Sequence, residues 1–278
     1  MPRAPTKSCG VRVYYASVLR KSSRGHPILT QRSYYYHQKI VFIGVAVAQA
    51  SHTNVLDDLG VRIAAGELTS GQVLTAAGLE DEYGVSRTVI REAVRVLEAM
   101  GMVASRRRVG VTVQPATAWS ALDPRLIAWQ LAGPRRAQQL VVVTELRAAI
   151  EPIAARLAAS RASDVQRSEI VRLSTLLEEL GAQGRGDTEE YLAADIAFHD
   201  LILDASGNLM LAAVKKPIAE VIAGRSRVGL TPATPEHEAL HNHAQTAAAI
   251  ARGDAAAAEH HTRRYVDTVL GEVRGESG

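Results

Sequence analysis

The stretch Tyr83-Gly84-Val85-Ser86-Arg87-Thr88-Val89-Ile90-Arg91-Glu92-Ala93-Val94-Arg95-Val96-Leu97-Glu98-Ala99-Met100 decides how the first half of the chain folds. Gly84-Val85-Ser86 reads as a tight turn, and the residues after it take up a helical period. Val89, Ala93, Val96, Leu97 and Met100 make an apolar stripe, while Arg87, Arg91 and Arg95 recur every four residues on another face. Just upstream, Ala76 to Tyr83 reads as a short helix that stops at Gly84. Two short helices joined by a glycine-containing turn form a helix-turn-helix, whose second helix offers its first residues to base edges in the major groove. Arginines on the outer face of an amphipathic helix are usually only solvated. Here residues 86–108 hold six arginines against two glutamates, so the positive field sits where such a unit docks.

Working outward, Val55, Leu56, Leu59 and Ile63 fall at helical spacing in a first helix over Val55–Ala65, with Gly66 just past its end. After Gly101 the period changes to two. Met102-Val103-Ala104-Ser105 and Val111-Thr112-Val113 flank Arg106-Arg107-Arg108-Val109-Gly110, which predicts a two-stranded hairpin with an arginine-rich tip. Arginine there suits phosphates or a narrow minor groove, and Gly110 is expected to let backbone approach the duplex. Residues 55–114 thus read as a winged helix-turn-helix with a small β-hairpin wing. A linker with a short helix follows over 115–134, where Asp123 caps and Pro124 starts that helix.

Beyond the linker everything reads helical. Segments near 136–161, 164–183, 187–206, 208–228, 235–252 and 254–273 are separated by Gly, Pro, Ser or Asp, and none alternates like a strand. The expected fold is mainly α: the winged head, then an all-helical antiparallel bundle over 135–274 with a pocket in its interior.

Composition narrows the function. The single cysteine, Cys9, excludes an internal disulfide and a cysteine zinc cluster, and fits the cytoplasm. Residues 1–54 hold 8 of the 32 basic residues and none of the 29 acidic ones, leaving 24 basic against 29 acidic residues, a net −5, in the rest. Bulk charge therefore gives no argument for nucleic acid; local charge does. The first 54 residues are basic and tyrosine-rich, with Tyr14, Tyr15 and Tyr34 to Tyr36. Their apolar run, Ile40 to Ala50, is too short for a bilayer, which takes about 20 residues. Ala48-Gln49-Ala50 imitates a signal-peptide cleavage site, but the basic segment before it is longer than a typical signal peptide. Two readings stay open for residues 1–54: a disordered basic arm, or upstream sequence ahead of a true start near Val45 or Val47.

The chain resembles the GntR superfamily of transcriptional regulators through Tyr83-Gly84-Val85-Ser86-Arg87-Thr88, Arg91-Glu92-Ala93, Leu97-Glu98-Ala99-Met100-Gly101-Met102-Val103 and the Arg106-Arg107-Arg108-Val109-Gly110 wing. The resemblance implies that Arg87, Thr88 and Arg91 read DNA, with Arg106, Arg107, Arg108 and Gly110 at the wing. Ala76-Ala77 stands where many members carry Glu-Arg, so a common DNA contact is not carried over.

The second half resembles the FCD ligand-binding domain of FadR-type regulators, through Glu145-Leu146-Arg147, Ile150-Glu151-Pro152, Asp195-Ile196-Ala197-Phe198-His199, Gly207-Asn208 and His243. The Trp119, Leu122-Asp123 and Trp129 linker is similar to the subgroup of galactonate-operon repressors. Asp195 and His199, four apart, share one helix face and suit a divalent cation such as zinc, nickel or manganese. By the resemblance His243 joins them. Two further histidines of many FCD domains are missing, since residues 209–230 hold none and Tyr265 occupies the last position. Arg147 is expected either to pair with the carboxylate of an acidic effector or to make a helix-surface salt bridge. The implied protein is a homodimeric repressor that binds a pseudo-palindromic operator in double-stranded DNA and answers to a small acidic metabolite, a sugar acid first among the candidates. No membrane is involved.

One motif points elsewhere. His237-Glu238-Ala239-Leu240-His241 matches H-E-x-x-H, in which two histidines bind zinc and the glutamate acts as general base, with Glu259 conceivable as a third ligand. Pro232 and Pro235 put His237 in the first turn of its helix, and no edge strand is expected that would hold a peptide. His260 and His261 read as exposed helix residues. A zinc hydrolase is the alternative to the regulator.

Overall fold

The computed structural model describes residues 46–275. The basic segment, Cys9 and the alternative start at Val45 lie outside them. In chain order the elements are α1 (Ala46–Ala65), β1 (Val73–Leu74), α2 (Ala76–Tyr83), α3 (Arg87–Ala99), β2 (Val103–Arg106), β3 (Gly110–Val113), α4 (Pro124–Ala132), α5 (Arg136–Arg161), α6 (Asp164–Ala182), α7 (Glu189–Ala205), α8 (Leu209–Ala212), α9 (Lys215–Arg227), α10 (His237–Arg252) and α11 (Ala255–Arg274).

The first helix begins at Ala46, nine residues before the expected Val55. From Ala46 to Gly60 no glycine or proline interrupts the chain, and alanine favours helix, but the polar run Ser51 to Asn54 breaks the apolar period used to read it. The head also has a third strand. β1 pairs antiparallel with β3, giving the order β1-β3-β2. Two residues are too few to show alternation in sequence.

The head's core joins Val55, Leu56, Leu59 and Ile63 of α1 to Leu79 of α2, Ile90, Ala93 and Leu97 of α3, and Met102, Val111 and Val113 of the wing. The buried stripe of α3 runs through Ile90, Ala93, Val94 and Leu97; Val89 and Val96, placed on it by the sequence reading, are only half-buried. This i, i+3, i+4, i+7 set keeps Ala93 and Leu97 of the expected stripe and puts Ile90 and Val94 in place of Val89 and Val96; Met100 is buried as expected, and Arg87, Arg91 and Arg95 stay exposed.

Helix α4 belongs to both halves. Asp123 accepts from the Arg125 amide at 2.8 Å and Pro124 occupies the first turn, as expected. Leu126 and Trp129 are buried in the head's core, while Ile127 and Leu131 pack with Leu140 and Val143 of α5 and Val221 of α9. Trp129 Nε1 donates to Asp57 of α1 at 3.1 Å, and its ring lies flat on Gly60. A Cβ at Gly60 would fall 2.4 Å from the indole, so only glycine admits this approach.

The second half is a helical bundle with α5 at its centre, against α7, α9, α10 and α11. Ala154, Ala155, Ala158 and Ala159 of α5 are fully buried, and their small side chains bring neighbouring helices close. The expected 208–228 helix is split: α8 ends at Ala212 and α9 starts at Lys215. The break places Pro217 in the first turn of α9, where its missing N–H costs no hydrogen bond. No helix of the described residues is long and apolar enough to cross a membrane.

Candidate DNA-reading face and metal centre

At the head, α2 stops at Gly84 and α3 starts after Ser86, so Arg87, Thr88 and Arg91 occupy its first two turns, all exposed. Arg87, Arg91 and Arg95 line one groove together with Arg106 and Arg107 of the wing. Glu98 fastens that geometry by accepting from the Ser105 amide at 2.6 Å, which ties β2 to α3. Arg87 Nε lies 4.0 Å from Glu80, but its side chain is 76% exposed, and such surface pairs are worth at most about 1 kcal/mol. The arginines are thus available to an anionic partner.

At the wing tip Arg108 holds a left-handed backbone, φ 67°, which glycine would adopt at lower cost. Gly110 has a different reason from the one expected. At φ 117° its missing Cβ faces the Leu74 carbonyl oxygen at 2.6 Å, so the glycine lets β3 lie against β1. Its need is internal packing, and approach to a duplex does not have to explain it.

In the bundle, Asp195 and His199 of α7 meet His243 of α10, all three buried. His199 Nε2 lies 3.4 Å from Asp195 Oδ1 and 3.4 Å from His243 Nε2, and His243 Nε2 lies 3.5 Å from Asp195 Oδ1. These separations are long for hydrogen bonds. They match the edges of a tetrahedron with metal–ligand bonds of about 2.1 Å. Asp195 Oδ1 makes no hydrogen bond. The other ring nitrogens are engaged: His199 Nδ1 is 3.0 Å from Glu151 Oε2, and His243 Nδ1 is 2.9 Å from the Ala239 carbonyl. Donation from each Nδ1 turns both Nε2 lone pairs inward. With both Nε2 atoms unprotonated, three acceptors face one point, and the set fits a divalent cation.

Arg147 is fully buried on α5, which removes the alternative of a helix-surface salt bridge. Its Nε and Nη2 donate to Glu151 at 2.6 and 3.4 Å, Nη2 is 3.4 Å from His199 Nε2, and Nη1 has no partner. Glu151, to which no role was assigned from its sequence position, therefore serves both Arg147 and His199. Burial would raise its carboxyl, but Arg147 and His199 hold it near 2. Burial also opposes charge on Asp195 and His199. The two imidazoles nevertheless keep Asp195 well below the usual carboxylate range, and Glu151 and Asp195 lift His199 to about 9. Tyr265, at the position of the missing histidine, packs against His243 with ring centroids 4.1 Å apart, and burial pushes its hydroxyl up to about 12. A cavity of about 340 Å³ opens on this cluster, and its lining includes Asp195, His243, Tyr265, Arg225, Glu236 and Glu272. Arg147 does not line that cavity.

The rival motif does not assemble. His237 and His241 are exposed on α10, Glu238 is paired with Arg264, and Glu259 with Arg156 and Arg263. Asp195, His199 and His243 form the His/Cys/Asp/Glu group that could hold a metal among the described residues, and neither His237 nor His241 belongs to it. His260 is exposed as expected, whereas His261 is half-buried beside Asn242 Oδ1 at 3.3 Å.

Residues 52–113 match the family of bacterial regulatory proteins described as gntR, and residues 142–268 match the FCD domain. The chain is 35% identical over 167 residues to the uncharacterized HTH-type transcriptional regulator YieP of Escherichia coli, covering 59% of this chain and 71% of that one. This chain belongs to the GntR family of bacterial regulators. As a GntR regulator with an FCD domain, it is a DNA-binding protein with a small-molecule effector domain, and its relatives are regulators rather than enzymes. It is also 32% identical over 154 residues to the galactonate operon transcriptional repressor of Escherichia coli, covering 55% of this chain and 66% of the repressor. A solved structure of Lar, which controls expression of the Listeria monocytogenes agr system, shares its fold at TM-score 0.50 and 16% identity, covering 81% and 96% of the two chains.

Proposed function

We propose that this GntR regulator is a homodimeric, cytoplasmic repressor whose grip on a pseudo-palindromic operator is set by a small carboxylic acid, a sugar acid being the first candidate. The observation that carries the reading is the inward-facing triangle of Asp195, His199 and His243 beside a cavity of about 340 Å³. Zinc, nickel or manganese held there would offer an open position to a carboxylate, while Arg147, expected to meet that carboxylate directly, is buried behind His199 and adds positive charge to the cluster from there. The sugar-acid choice draws on the likeness to a galactonate operon repressor.

In the head, Arg87, Thr88 and Arg91 are proposed to meet base edges, and Arg106, Arg107 and Arg108 to meet phosphate or the minor groove, with Gly110 shaping the wing. Two copies would place two recognition helices about one duplex turn apart. The effector acts by binding the two arrangements of the heads unequally, and α4, buried in both halves, is the element that carries the difference.

Fluorescence anisotropy of the full chain with DNA flanking its own gene, against unrelated DNA, tests the proposal with salt and a panel of sugar acids varied. Specific, salt-sensitive binding altered by one acid supports it. Equal affinity for both DNAs under every condition overturns it.

A further inference from the structure

The tip of the wing holds a conformation that its own residues resist. The Val109 amide donates to the Arg106 carbonyl at 3.1 Å, closing a turn over Arg107 and Arg108, and Arg106 pairs with Gly110 across the ladder. Arg108, third in that turn, has φ 67° and is the one non-glycine residue of positive φ among the described residues. A turn with positive φ at its third residue favours glycine or asparagine there, because a larger side chain crowds its own backbone. Packing does not hold the arginine in place: Arg108 is exposed, and Val109 beside it is 51% exposed. Backbone strain of this sort gathers where a side chain serves a ligand.

Charge and position indicate which ligand. Arg106 and Arg107 line the groove between α3 and the wing, and Arg108 is not part of that lining. It sits at the end of the hairpin, with the length and charge to reach a phosphate outside the stretch of duplex that α3 would occupy. A guanidinium grips phosphate through paired N–H donors. Such a contact adds affinity for any duplex and carries no base information.

We infer that Arg108 is a phosphate clamp at the wing tip, held in a backbone conformation suited to glycine at a cost in the stability of the head. The inference rests on the DNA-binding reading proposed above and assigns Arg108 its partner, phosphate rather than base edges.

Two measurements on the full chain test it. Tryptophan fluorescence follows unfolding of the head, since Trp119 and Trp129, the two tryptophans of the chain, both pack in its core. Anisotropy titrations with DNA flanking the gene and with an unrelated duplex, at several salt concentrations, follow the contact. Arg108→Gly is expected to melt about 2 °C or more above the unaltered protein. It binds both duplexes about five- to ten-fold more weakly at about 0.1 M salt and lowers the salt slope by about 0.9, the loss of one phosphate. Arg108→Lys, which keeps the charge and the strained backbone, recovers the slope and melts with the unaltered protein. A more stable Arg108→Gly with an unchanged salt slope overturns the phosphate contact, and one that is not more stable overturns the backbone cost. A loss confined to the flanking DNA also overturns the clamp, since phosphate is the same in every sequence. Equal affinity of the unaltered protein for the two duplexes overturns operator recognition and leaves the clamp standing. Binding of neither duplex overturns both.

Discussion

His199 Nδ1 lies 3.0 Å from a carboxylate oxygen of Glu151, and both side chains are buried. The contact fixes which nitrogen of the imidazole faces the cluster, because the proton on Nδ1 is held by the carboxylate. A residue that coordinates nothing itself thereby sets the geometry of the candidate metal centre.

Glu151→Gln keeps an acceptor near His199 but removes the charge that supports it. Metal affinity, measured by competition with a chromogenic chelator, is expected to fall about 10- to 100-fold. Glu151→Ala goes further, since Arg147 is then a buried cation with no counter-charge, and a loss of about 3–5 kcal/mol of stability is expected in denaturant unfolding. Unchanged chelator competition in Glu151→Gln contradicts the positioning role.

The raised His199 value gives a pH signature in the chelator-treated protein. A histidine lifted from 6.5 to about 9 binds its proton more tightly in the folded state. Its contribution is therefore complete below about pH 6.5 and lost as pH rises through about 9. The melting temperature should decline across that window relative to His199→Asn, which has no such proton. Metal binding displaces the same proton, so apparent metal affinity should climb over the same range. A melting temperature that rises with pH relative to the variant would reverse the sign and reject the assignment.

Separate roles for the recognition helix and the wing predict different losses. Arg91→Ala, removing an arginine proposed to meet base edges, should cost about 1–3 kcal/mol on the operator and relax sequence preference. Arg108→Ala should weaken all DNA alike and lower the salt slope by about one. Anisotropy titrations on operator and random duplexes at several salt concentrations distinguish the two, and identical behaviour of both variants would contradict the docking arrangement.

The flat contact of Trp129 on Gly60 predicts a separable coupling defect. Gly60→Ala puts a methyl group where the indole now lies and should lower head stability by about 1–3 kcal/mol. Effector affinity measured by calorimetry should persist, because the cavity is built from α7, α9, α10, α11 and the 229–236 segment, while the effector's influence on DNA affinity shrinks. A full effector response in this variant would remove α4 from the route between the halves.

Much of this architecture is legible in the sequence because glycine, proline and capping residues punctuate it. The bounds of α5, Arg136–Arg161, coincide with the expected segment, and Asp195, His199 and His243 converge although 44 residues separate the two histidines. What escapes is burial and long-range pairing. Arg147 and Glu151, four apart, look like an ordinary surface pair; only the central place of α5, hinted at by its run of buried alanines, makes them interior. Arg225 and Glu272 are 47 residues apart, and no local pattern joins them. Conversely, His237-Glu238-Ala239-Leu240-His241 has the local spacing of a zinc motif, yet spacing says nothing about exposure, and its histidines point to solvent.

The most direct test of a metal-centred switch is the change in operator affinity that an aldonate causes in the metal-loaded protein, compared with His199→Ala. The account predicts a change of about 5- to 150-fold in the unaltered protein and none in the variant, whose operator affinity without effector stays near normal. An equal response from both proteins would contradict it, since the effector would then be acting without the cluster of Asp195, His199 and His243.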